Sequence, residues 1–193
     1  MGRWEPNARG RLGKAAMELY AERGFDQTTV AEIARRAGLT ERTFFRHYAD
    51  KREVLFGGAP FMEEQFVGAV AAAPAPAGPM DAVAAGLYAV GTMLQEGREA
   101  ASLRQSVISS HPELQERELV KLASLSAALT RTLCERGVPE SDASLAAEAG
   151  IAVFKVAFGR WIADLDGPEL PQVMRESLDE LRTVVAGDGS AAS

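Results

Sequence analysis

The chain has 193 residues, of which 25% are charged, and a formal net charge of −6. That length buries a sizeable core and makes one or two compact domains, and no apolar run reaches the length of a membrane span. The lone cysteine, Cys134, excludes an intrachain disulfide and suits a reducing cytoplasm.

Taken in chain order, the first helix is expected from Asn7 or Ala8, once Pro6 has set the entry, to Glu22 or Arg23. Leu12, Ala16, Leu19 and Tyr20 form its buried stripe. Gly24 ends it and Phe25 folds back into a small core. Thr28 and Thr29 are N-cap candidates for a second helix, and Glu32, three residues after Thr29, completes a capping box. Val30, Ile33, Ala34 and Ala37 recur at helical spacing, and Gly38 stands where a helix end wants positive φ. Leu39 anchors the turn and Thr40 caps a third helix. Two short helices across a tight turn make a helix-turn-helix, whose second helix is shaped for a DNA major groove. Asp50 and Glu53 read as the capping box of a fourth helix. Its apolar face (Val54, Leu55, Phe61, Phe66) is interrupted by Gly57, Gly58 and Pro60. Residues 74–79, rich in proline, cannot be helix interior. Beyond them helical patterns run over 81–96, 98–110, 113–136, 140–165 and 171–185, punctuated at His111-Pro112, 137–139 and 167–171. No strand-like alternation occurs, so the expected fold class is all-α.

Charge is unevenly spread. Residues 1–56 carry 11 Lys/Arg against 8 Asp/Glu, a net +3, and the remainder carries 10 against 19, a net −9. A basic module on an acidic body turns the first towards DNA. On the third helix Leu39 and Phe44 read as core, with Tyr48 partly underneath. Glu41, Arg42, Phe45 and Arg46 then face the groove. Arg42 can bond guanine O6 and N7 in a bidentate manner, against the alternative of a solvated surface arginine. Glu41 can accept from cytosine N4 or simply favour the helix dipole. Arg3, Arg9 and Arg11 suit an N-terminal basic arm on phosphates or the minor groove, or a solubilising end. Trp4 beside Arg3 hints that the arm packs.

Residues 11–26, ThrThrValAlaGluIleAla (28–34), AlaGlyLeuThr (37–40), ThrPhePheArgHisTyr (43–48) and Lys51 together resemble the DNA-binding domain of the TetR family of bacterial transcriptional regulators. The resemblance covers about a quarter of the chain; the rest matches in length and helical character. It implies that Thr29, Thr43, His47, Tyr48 and Lys51 contact phosphates or pack against the backbone, with Thr28 and Thr40 completing the DNA-binding set. The family often has a small residue where Arg42 stands and a Tyr where Phe45 stands. Phe45 lacks the hydroxyl for a phosphate, and its ring suits a thymine methyl instead.

The resemblance further implies three regions: a DNA-binding domain over 1–56, a helical effector and dimerisation domain over 57–186, and a frayed tail over 187–193. The last two long helices would form a four-helix dimer interface, with Ala147, Gly150, Ile151 and Phe154 packing against Leu178, Leu181 and Val185. Intrachain core is the alternative for these residues. A dimer is also needed because one helix-turn-helix reads too few base pairs. An apolar effector cavity is expected among Met93, Leu94, Leu103, Val107, Leu122, Leu125, Phe158 and Trp161, with Arg104, Gln105 and His111 orienting a polar end. Each apolar member has ordinary core as its alternative. The likeness extends to members that sense long acyl chains or acyl-CoA, although the acidic body disfavours a strongly anionic ligand. Cys134 lies near Arg131 and Arg136, which favours a thiolate, but an inert helix cysteine is the simpler reading.

No GxSxG elbow, phosphate loop or metal-ligand spacing is present and the chain has two histidines, so no enzyme, cofactor or metal is expected. The opening MetGlyArgTrpGluPro lacks the apolar stretch of a signal peptide, and Pro6 rules out a myristoylation site. The expectation is a cytoplasmic, homodimeric repressor without a membrane partner, released from a palindromic operator by a small apolar effector. A ligand-dependent activator or a corepressor-requiring regulator would have the same sequence. A helical protein-interaction module would not need the basic-acidic polarity.

Overall fold

A computed structural model describes residues 7–187. Its helices are α1 (Ala8–Arg23), α2 (Val30–Arg36), α3 (Glu41–His47), α4 (Lys51–Leu55), α5 (Ala59–Ala72), α6 (Pro79–Leu94), α7 (Arg98–Ser109), α8 (Pro112–Glu135), α9 (Glu140–Ala163) and α10 (Leu170–Ala186). No strand occurs among the described residues, so the protein is all-α. The chain divides into two compact units. One comprises Met1–Ala59 with Ala100–Glu118, the other Pro60–Glu99 with Leu119–Ser193.

The first unit is built on α1. Leu12, Ala16, Leu19 and Tyr20 are buried on one face of it, and Phe25, Ile33, Ala37, Phe44 and Tyr48 close over that stripe. A later segment of the chain joins the expected 1–56 region in this unit. Val107, Ile108 and Leu114 belong to the same buried cluster, with Leu103 packed against it, so most of α7 and the first two turns of α8 complete this unit. Side chains fasten them: Arg104 Nε donates to Leu55 O at 2.6 Å, and Arg117 pairs with Glu53 at 2.6 Å. Sequence order hid this because the contributing residues lie some fifty positions beyond the motif.

In the second unit α6, α9 and α10 pack mutually. Small residues set the approach. A Cβ on Gly150 of α9 would lie 2.5 Å from Val83 Cγ1 on α6, and one on Gly86 would lie 2.2 Å from the Phe66 ring of α5. Two arginines clip loops by their carbonyls. Arg136 takes those of Ala71, Ala73 and Pro74. Arg98 takes those of Asp164, Leu165, Gly167 and Pro168 while lying over the Trp161 ring. Two sequence expectations shift. α6 starts at Pro79, not Asp81, since a proline at the first helical position loses no bond. The fourth helix stops at Leu55, and α5 restarts at Ala59 as a separate helix that buries Phe66 and leaves Phe61 exposed.

Candidate nucleic-acid interface

The helix-turn-helix is held by caps at both of its starts. Thr29 Oγ1 accepts from Glu32 N–H at 3.3 Å while Glu32 Oε2 accepts from Thr29 N–H at 3.0 Å. Those bonds, the backbone one first, hold the Glu32 carboxyl below its usual range. Thr40 Oγ1 accepts from Thr43 N–H at 3.2 Å and shares a bond with the Thr43 hydroxyl. Between the two helices Gly38 adopts φ 66°, left-handed backbone where a side chain would be strained. A Cβ there would also press on the Arg11 guanidinium, which donates to Ala37 O from α1.

This frame decides which side of α3 faces outwards. Phe44 is fully buried and Tyr48 nearly so, and Leu39 packs against the same core. Glu41, Arg42, Phe45 and Arg46 are exposed on the opposite side. The four form one continuous face, since positions i, i+1, i+4 and i+5 lie together on a helix. Its size and positive end-charge fit a major groove.

The remaining expected DNA contacts fare differently. Thr29, Thr40 and Thr43 lie at or near the surface beside this face, each already engaged in capping. Thr28 is corrected: it is 1% exposed, and its hydroxyl donates inward to Gly24 O at 2.9 Å. Lys51 is corrected as well. Its ammonium donates to the carbonyls of Phe25 at 2.8 Å, Asp26 at 3.1 Å and Thr28 at 2.9 Å, above the Phe25 ring. A lysine near a motif looks like a phosphate anchor until the fold brings three carbonyls to it. Burial pulls its pKa below the ordinary lysine value, against the neighbouring Asp26. Tyr48 donates to Arg9 O at 3.2 Å with the Arg9 guanidinium over its ring, and burial raises its pKa. His47 turns a buried Nε2 inward, without a hydrogen-bond partner among the described residues. Arg9 and Arg11, expected at the start of the first helix, lie in α1, where Arg9 donates to Gly57 O at 3.1 Å and Arg11 to Ala37 O; Arg3 and Trp4 lie outside the described residues.

The chain matches the family described as "Bacterial regulatory proteins, tetR family" over residues 12–56 and the "MftR C-terminal domain" over residues 77–186. The chain belongs to the TetR family of bacterial transcriptional regulators. It is 29% identical to the HTH-type transcriptional regulator TcmR of Streptomyces glaucescens over 93% of this chain and 85% of that protein. The putative mycofactocin biosynthesis transcriptional regulator MftR of Mycobacterium tuberculosis is also 29% identical, over 70% of this chain and 69% of its own. Among solved structures, the transcriptional regulator FadR from Bacillus subtilis in complex with stearoyl-CoA shares the fold. It has a TM-score of 0.64 and 20% identity over 89% of this chain and 96% of that one.

In this TetR-family regulator the expected effector-lining residues do not fall in one unit. Arg104, Val107 and His111 belong to the DNA-binding unit, whereas Met93, Leu122, Leu125, Phe158 and Trp161 belong to the other. Arg104 is bound to Leu55 O and to Glu118 at 3.0 Å, with Gln105 on the same carboxylate at 3.3 Å. His111 shares a bond with Val107 O at 2.8 Å through Nδ1, faces Asp26 at 3.3 Å through Nε2, and packs edge-on to Phe25. Arg104 and His111 fasten this segment to Leu55 and Asp26 of the head, while Gln105 bridges to Glu118 of α8. A surface cleft of about 370 Å³ in the second unit is lined by Tyr88, Thr92, Gln95, Glu96, Glu169, Pro171, Gln172 and Arg175, none of them in the expected set.

The expected dimer residues divide by burial. Ala147, Gly150, Ile151, Phe154 and Leu178 are buried within the chain itself, because the small residues of α9 admit α6. Leu181 is half-buried and Val185 is exposed.

Proposed function

We propose that this regulator is a homodimeric repressor that binds a palindromic operator and is released by an apolar effector. The observation that carries the reading is the outward face of α3, where Arg42, Phe45 and Arg46 project from a head whose caps and core leave that face unencumbered. A two-fold dimer places two such faces about 34–36 Å apart, one helical turn of DNA, or a multiple of it. Support for the second copy comes from α9. Leu145, Ala149, Ala152, Val156, Gly159 and Ala163 recur at steps of four and three, and all but the half-buried Ala149 are exposed. That is the spacing of a helix-pairing seam, and nothing lies within 4 Å of a Cβ built on Gly159.

Long acyl chains or acyl-CoA are the effector class of this proposal. The fold is shared with a FadR that binds stearoyl-CoA. The second unit also carries an aromatic run, Phe154, Phe158 and Trp161, that suits an alkyl chain. The Trp161 indole Nε1 is buried without a partner among the described residues, a donor suited to a carbonyl oxygen. Selection of bound fragments from a random DNA library at physiological salt tests the reading. Recovery of a palindrome, with release of the complex by stearoyl-CoA, is the expected result. Unrelated, salt-sensitive fragments would remove the operator reading, and a complex indifferent to acyl-CoA of every chain length would remove the effector class.

A further inference from the structure

The DNA-reading face of α3 has an apolar member that its neighbours do not explain. Phe45 is 55% exposed, on a helix whose other outward side chains, Glu41, Arg42 and Arg46, are charged. The ring is held in place: it stands edge-on to Phe44, with centroids 5.5 Å apart and planes at 83°, and Phe44 is itself fully buried. The Phe45 ring thus rests one edge against a buried core residue and leaves the rest of its surface outward. A phenyl ring has no donor for a phosphate oxygen and none for a polar base edge. In the major groove the apolar group presented at a base edge is the C5-methyl of thymine.

We propose that Phe45 reads a thymine C5-methyl in each half-site, next to the guanine read by Arg42. The two residues are three positions apart on one face, about 4.5 Å along the helix axis, and successive bases rise about 3.4 Å. The thymine is therefore expected in the same half-site as that guanine and close to it. This rests on the reading of α3 as the groove helix, and it adds the chemistry that the helix selects. Cytosine, which lacks the methyl, is discriminated against by lost apolar contact, with no hydrogen bond to Phe45 involved.

The test uses the full-length protein and the operator recovered by selection, with each thymine replaced singly by uracil, which removes the methyl and nothing else. Wild type is expected to lose about fourfold in affinity per half-site at one thymine, the factor for exposing one methyl-sized group. That thymine is expected in the same half-site as the guanine whose identity Arg42→Ala ceases to select, and close to it. Phe45→Ala is expected to bind the thymine operator as weakly as wild type binds the uracil one, and to be indifferent to the replacement. Phe45→Leu, which keeps an apolar tip, retains part of the uracil sensitivity. Circular dichroism of both variants matching wild type confirms their folding, as the exposure of the ring leads one to expect. Tight, specific binding by wild type that no uracil replacement weakens overturns the methyl proposal and leaves the operator reading standing, as does a Phe45→Ala variant still as sensitive as wild type. Failure of wild type to select any sequence overturns both.

Discussion

The ammonium of Lys51 and the imidazole of His111 show how single side chains tie this DNA-binding head together. Lys51 satisfies three carbonyls of the turn between α1 and α2, backbone acceptors that no helix ladder serves. Lys51→Met leaves those oxygens short of a charged donor, so the urea-unfolding free energy is expected to fall by about 2 kcal/mol. The salt slope of DNA binding should stay that of wild type; a slope reduced by about one would instead return Lys51 to the phosphate contacts. His111 acts on the same turn. Its pKa is raised, first through its bond to Val107 O and then through Asp26 and Glu113, with burial opposing. A raised folded pKa means that the protonated ring favours the folded state. That contribution is complete below the ordinary value near 6.5 and is lost as pH rises through the higher folded value. Between pH 6 and pH 8 the urea midpoint of wild type should therefore fall relative to that of His111→Gln. Parallel pH dependence of the two proteins would refute a linked role for the ring.

Helix α9 carries small residues on two sides, one packed inward and one exposed. On the inward side Gly150 meets Val83 of α6, where an added Cβ has no room. Gly150→Leu is expected to destabilise the fold by roughly 1–3 kcal/mol through overpacking, read as a lower denaturation midpoint. Gly159 faces open space in the isolated chain, so Gly159→Leu should keep or slightly raise monomer stability while crowding the proposed seam. The same division explains why Ala147, Gly150, Ile151 and Phe154 are buried within the chain itself. A run of alanine, glycine and valine invites close helix approach on either side, and the sequence pattern alone does not say which side meets α6. Helix α7 makes the parallel point. Its periodicity marked it as helical, but the pairing of Arg104 with Leu55 O, and of Val107 and Ile108 with the head's core, depends on contacts distant in sequence.

At the level of the whole molecule, charge survives the redrawn boundary. Moving Ala100–Glu118 into the first unit adds two arginines and three glutamates, so that unit carries +2 and the other −8. The head therefore stays the part that DNA attracts, and affinity should decline steeply with salt. Selective reading still needs two heads. Val156→Glu places a charge in the middle of the proposed α9 seam, where a second copy would have to bury it. The variant is expected to sediment as a monomer at concentrations where wild type sediments as a dimer, and to lose operator affinity while keeping its helical content. A variant that remains dimeric would send the interface to another face.

What the sequence determined by itself was local: the capping box of α2, the N-caps of α3 and α4, the glycine at the turn, the buried stripe of α1 and the outward face of α3 are all set within a few residues, by hydrogen bonds and helical periodicity that reach no further. These features set the outward face of α3, which is why that face was legible in the sequence while Thr28, Tyr48 and Lys51, expected beside it, were not. The tertiary structure decided what each long-range partner claims. Thr28 and Lys51 were drawn into the turn, Arg104 and His111 into the head, and Gly150 into the core. A donor or an apolar surface is satisfied by whichever group the fold brings near, and the order of residues along the chain does not encode that proximity.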